Sequence, residues 1–167
     1  MRNFKLFLLA LTLVALPAFT FAKSAQGSEM SEQHRSQVAS TTKKLIEFAG
    51  KDRNIGQEIK AVAQAQQQVA STTAALIEKV ESRSKFKIFL IGSDYKNLGA
   101  LRSELVTTAN HIRRLENVVA SSTTASTTAL LQEQIDSLRQ TNSAAQDFVK
   151  ENESKFSLFG WLVKLFN

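Results

Sequence analysis

Apolar residues recur along this chain at alternating steps of three and four, a spacing that keeps one stripe of a helix turned toward a neighbour. The first stripe is His34, Val38, Thr41, Leu45 and Phe48. A second runs through Ile55, Ile59, Val62, Gln66, Val69, Thr73, Leu76 and Val80, and a third through Leu98, Leu101, Leu105, Thr108, Ile112, Leu115 and Val119. Leu131, Ile135, Leu138, Asn142, Ala145 and Val149 make the fourth. Each stripe predicts a long helix. Gln66 and Thr73 weaken the second seam, which favours a bundle over a long free coiled coil.

The breaks fall between the stripes. Gly50 and the polar run Lys51-Asp52-Arg53-Asn54 end the first helix. Ser28 or Ser31 is expected to cap its start, with Glu29 and Glu32 in the opening turn. From Phe86 to Ile91 the pattern becomes apolar on all sides, and Ser93 or Asp94 is placed to cap the next helix. Residues 120–129 are a Ser/Thr-rich tract across which the helical phase slips, so a connection is expected there, with a stuttered continuous helix as the alternative. The single Pro is Pro17 and only six Gly are present, so little interrupts the helices. The expected fold is all-α: an up-and-down four-helix bundle with long helices and a short apolar C-terminal helix.

The chain opens with Arg2 and Lys5 before a run, Leu6–Phe21, that carries no charge, and Thr20 and Ala22 are small side chains suited to cleavage. Residues 1–22 therefore read as a secretory signal peptide, with an uncleaved N-terminal anchor as the competing reading. Residues 23–28 read as a polar linker, 29–153 as the helical bundle and 154–167 as the apolar C-terminal helix. With no Cys, disulfides, thiolate metal sites, Cys nucleophiles and lipid attachment at Cys are all excluded. The formal charge of +6 includes Arg2 and Lys5, which leaves +4 beyond the leader. That mild excess suits an anionic surface and supplies no basic stripe for nucleic acid.

Chemistry is sparse. His34 sits in a packing stripe and His111 beside Ile112 is expected near the surface; two His are too few for a His-based metal site. Glu32, Glu47, Glu78 and Glu116 read as solvated helix faces. Phosphate-loop, dinucleotide, nucleophile-elbow and zinc-protease patterns are missing, so neither an enzyme nor a cofactor is expected. Val38-Ala-Ser-Thr-Thr-Lys-Lys-Leu-Ile-Glu47 recurs as Val69-Ala-Ser-Thr-Thr-Ala-Ala-Leu-Ile-Glu78, and Ala125-Ser-Thr-Thr128 echoes its core. The spacing between copies is not constant, which argues for small residues that let helices approach and against a solenoid.

Two apolar segments remain. The tail places Phe156, Phe159, Leu162, Val163 and Phe166 on one helical side, with Trp161 suited to an interface and Lys155 and Lys164 to headgroups. As a helix its twelve residues cover roughly 18 Å, short of a hydrocarbon core about 30 Å thick. Antiparallel connectivity brings this tail, the Phe86–Ile91 corner and the start of the first helix to one end of the bundle. Either corner and tail cover each other as a satellite core, or that end faces a membrane, helped by Arg83, Lys85, Lys87, Lys96, Lys155 and Lys164. The candidate contact residues are Phe86, Phe89, Ile91, Phe156, Phe159, Trp161, Leu162 and Phe166, with Lys85 and Lys164.

The stretch Lys79–Glu104, with Lys85-Phe-Lys-Ile-Phe-Leu-Ile-Gly-Ser-Asp94 at its centre, and the tail Lys155-Phe-Ser-Leu-Phe-Gly-Trp-Leu-Val-Lys-Leu-Phe166 resemble uncharacterised exported helical proteins of candidate-phyla (Patescibacteria-like) bacteria. That resemblance implies a bacterial envelope setting and brings no activity with it. The expected function is a non-enzymatic, exported envelope protein, structural or interacting, that contacts a membrane surface or an envelope protein through its apolar end. The alternative is a soluble exported binding module or chaperone-like protein holding apolar ligands or clients between helices. Oligomerisation is compatible with either.

Overall fold

The computed structural model describes residues 25–51, 55–121 and 125–155. Among these the chain is all-helical: α1 Ala25–Ala49, α2 Gly56–Glu81, α3 Lys85–Ile91, α4 Tyr95–Ser121 and α5 Ala125–Glu153. α4 ends and α5 begins within the Ser/Thr tract where a connection was expected. The leader, residues 1–22, lies outside the described residues, as does the tail from Phe156.

The four long helices form a helical bundle in which α1 packs on α2, α2 on α4, α4 on α5, and α5 back on α1. Hydrogen bonds and ion pairs give the directions. Ser31 Oγ donates to the Ala74 carbonyl and Gln67 Nε2 to Thr42 Oγ1, so α1 and α2 run antiparallel. Lys44–Glu133 and Thr141–Gln37 do the same for α1 and α5. Arg139–Glu116 and Arg102–Glu153 do so for α4 and α5.

The stripes account for the core. Val38, Leu45, Ile59, Leu115, Ile135 and Leu138 close one half. Ile77, Val80, Leu98, Leu101, Ala145 and Val149 close the other, joined by Phe148, which sits beside the fourth stripe. Burying a side chain of this size stabilises by about 1.5–3 kcal/mol, which makes the stripes the main source of cohesion in a chain without disulfides.

Between the two halves lies a polar belt. Gln66 is fully buried and donates from Nε2 to Thr108 Oγ1 at 3.1 Å, while His111 Nδ1 donates to its Oε1 at 2.7 Å. His111 is therefore buried, not near the surface as its neighbour Ile112 suggested, because a glutamine across the seam satisfies it. Burial, and then the charge of Arg114, lower its pKa. His34 is buried on α1 with neither ring nitrogen partnered among the described residues. Thr73 Oγ1 and Asn142 Oδ1 are likewise buried and unpartnered.

Two local features also differ from the sequence reading. α1 begins at Ala25, so residues 25–28 of the expected linker belong to the helix. Ser31 caps nothing: it lies nearly two turns inside α1 and spends its hydroxyl on α2. At the opposite end, Gly56 is required by the close approach of α2 to α1. A β-carbon at that position would fall 2.1 Å from the Ala49 carbonyl oxygen, a backbone atom that cannot swing aside. Gly56→Ala should therefore destabilise by about 1–3 kcal/mol, read as a lower urea midpoint with an unchanged slope.

Burial of His34 lowers its pKa from 6.5 to about 4, so the unfolded chain takes up the proton first. Stability from this site is complete above pH 6.5 and is lost as pH falls toward 4. The loss amounts to about 3 kcal/mol. Urea unfolding across that range should show His34→Leu losing correspondingly less stability than the wild type; parallel curves would refute the assignment.

Candidate functional site

The candidate site is the corner joining α2 to α4. Ser82 continues the last turn of α2 by donating its amide to the Glu78 carbonyl. Ser84 then turns extended and caps α3, its Oγ accepting from the Lys87 amide at 3.2 Å. Gly92 ends α3 with φ 99°, a left-handed conformation that a side chain would strain. Asp94 starts α4 as its cap: the Asn97 amide donates to Oδ1, and Asn97 Nδ2 donates to Oδ2 at 2.8 Å. Of the two expected caps, Asp94 is the one used.

Two polar contacts fix this corner. Arg83 Nη1 lies 3.6 Å from Asp94 Oδ1, so one mostly buried ion pair joins the residues that flank α3. Burial works against the Asp94 carboxylate, but the Asn97 hydrogen bonds, with Arg83 and Lys87 nearby, outweigh it and hold its pKa below the usual value. Ser93, buried, donates its hydroxyl to the Asn152 carbonyl and latches the corner to the end of α5. Asn152 in turn donates to the Phe148 carbonyl at 2.8 Å and accepts from Lys155 Nζ at 2.6 Å. Sequence reasoning missed this latch, since a lone Ser and a lone Asn distant in sequence carry no spacing signal.

The corner holds α3 away from the bundle. None of its residues is buried. Phe86 is 65% exposed, Phe89 48% and Ile91 62%, and Tyr95 at the start of α4 adds 60%. Lys85, Lys87 and Lys96 are exposed around them. Four of the sequence-selected residues, Lys85, Phe86, Phe89 and Ile91, are thus together on one short helix. Phe156, Phe159, Trp161, Leu162, Lys164 and Phe166 lie outside the described residues. Tyr95 was not selected, because it lies off the third stripe and directly after its cap.

Beneath α3 is a groove of about 490 Å³ at the ends of α1, α2 and α5. Met30, Val80, Ile88 and Phe148 give it an apolar floor, and Glu81 and Lys155 lie at its edge. Burial raises the Glu81 pKa, an effect that Lys155 partly offsets.

No described helix is long and apolar enough to cross a membrane. The described residues bring together no group of three or more His, Asp or Glu able to hold a metal ion. No protein-family model, curated protein or solved structure matches the chain.

Asp94 serves as both cap and ion-pair partner, whereas Arg83 serves only the pair. Asp94→Ala should therefore cost about 1–2 kcal/mol and Arg83→Ala less, with faster amide exchange at the start of α4 in the first variant alone.

Proposed function

We propose that this chain is an exported, non-enzymatic up-and-down four-helix bundle of the cell envelope that rests on an anionic membrane surface through its α3 end. The bundle reading is supported by the closed ring of antiparallel contacts among α1, α2, α4 and α5. Export rests on the leader pattern of residues 1–22, and the non-enzymatic reading on the motifs of the sequence.

The observation that carries the surface reading is α3 itself. Five of its seven residues are apolar, and no side chain on it is buried. An unburied run of this kind beside exposed lysines has the composition of an interfacial segment, apolar toward acyl chains and cationic toward headgroups. The tail residues Phe156, Phe159, Trp161, Leu162 and Phe166, with Lys164, extend the same contact in this proposal. Binding of clients between helices is less well supported, because Leu45, Ile59, Ile77, Leu98, Leu101 and Leu115 fill that space with fully buried side chains.

Co-sedimentation of the protein from Lys23 onward with phosphatidylglycerol vesicles tests the reading. Binding is expected, weaker on phosphatidylcholine and weakened by salt. Replacing Phe86, Phe89 and Ile91 together by Ser should reduce it by about tenfold or more while leaving the helical signal unchanged. Failure of the wild type to sediment would remove the membrane and leave an envelope protein as the partner to seek.

A further inference from the structure

We infer that the groove beneath α3 is the docking site of the chain's own tail, Phe156–Asn167, whenever no membrane is engaged. This inference does not rest on the membrane reading, because it concerns the opposite side of α3.

The groove and α3's outer surface divide the same helix. Ile88 is half-buried and lines the groove with Val80 and Phe148, whereas Phe86, Phe89 and Ile91 are exposed. The satellite core expected from the sequence would use the corner's exposed aromatics; the groove offers the tail an apolar floor that leaves those aromatics uncovered.

Two observations select the tail as occupant. Lys155 lines the groove, and Phe156 follows it directly in sequence. A tether of zero length gives the tail an effective concentration in the millimolar range or above, which a second copy or a free ligand reaches only at similar bulk concentration. The spacing of Phe156, Phe159, Leu162, Val163 and Phe166 offers one apolar side to a floor made by Met30, Val80, Ile88 and Phe148.

Trp161 is the only tryptophan, so its fluorescence reports on the tail alone. In lipid-free buffer, docking predicts blue-shifted emission and protection from acrylamide relative to a peptide of residues 155–167. Ile88→Glu, outside both halves of the core, and Met30→Glu, at a partly buried position packed against the second half, should each shift the emission red and raise quenching severalfold, with circular dichroism checking that the bundle stays folded. Wild-type quenching equal to that of the peptide would overturn the inference, as would protection that both variants retain. Because the chain has no Cys, the pair Ile88→Cys and Phe159→Cys adds a second reading. Oxidation should give an intramolecular disulfide, and a product that is only dimeric would make a second copy the occupant. Phosphatidylglycerol vesicles separate the proposals. A blue shift seen only with vesicles overturns docking and leaves the membrane reading standing. Protection in buffer with no vesicle binding supports docking and removes the membrane reading.

Discussion

The bundle turns on one buried side chain. Gln66 stands at mid-height on α2 and satisfies Thr108 and His111 on α4 at once. Sliding either helix by a turn would strand three buried polar groups in a space shared with Leu105 and Ile112. An apolar seam tolerates such slippage, because leucines replace one another at little cost; an amide with two committed partners does not. The register of α2 against α4 then places Ser82 and Asp94 at the same end, and the geometry of the corner follows.

The corner inherits its exposure from that register. α2 and α4 are both anchored in the core almost to their ends, by Val80 on one side and Leu98 on the other. The chain between them has to reverse direction, and the Ser84 cap, the left-handed Gly92 and the Asp94 cap each fix one stage of that reversal. A seven-residue helix held at both ends has no freedom to roll its aromatics inward. Exposure of Phe86, Phe89 and Ile91 is thus imposed by the fold, and the surface function proposed for them requires no rearrangement.

How far the sequence disclosed this depended on whether a residue acts through periodicity or through a partner. Stripes of Leu, Ile and Val were legible because each residue repeats the signal of its neighbours; Leu98, Leu101 and Leu105 predict one another. The expected connection at the Ser/Thr tract was legible for the same reason, as a slip in phase. Ser31, His111 and the Ser93–Asn152 latch were not, since each is placed by one group on another helix, and no local pattern records it. Of the site, the α3 residues were readable as an apolar run. What the run could not reveal is its division into a half-buried Ile88 and an exposed outer surface, which depends on how α2 and α4 hold its ends.

The recurring Val-Ala-Ser-Thr-Thr segment has a meaning that only the packing supplies. Interpolating between Ser31–Ala74 and Thr42–Gln67 brings Val38 level with Val69, so the two copies start side by side and run in opposite directions. α1 and α2 are therefore related by an approximate dyad through that level. A hairpin with such symmetry fits its partners nearly as well when turned end for end. The symmetry fails at Thr42 and Thr73: the first accepts a hydrogen bond from Gln67, and the second has none among the described residues. That asymmetry breaks the degeneracy only weakly. The short, capped link from α2 to α4 breaks it outright, because a reversed hairpin would carry the end of α2 to the far side of the bundle, beyond the reach of α3. The corner that offers this protein its exposed surface is also what gives the folding chain a single orientation.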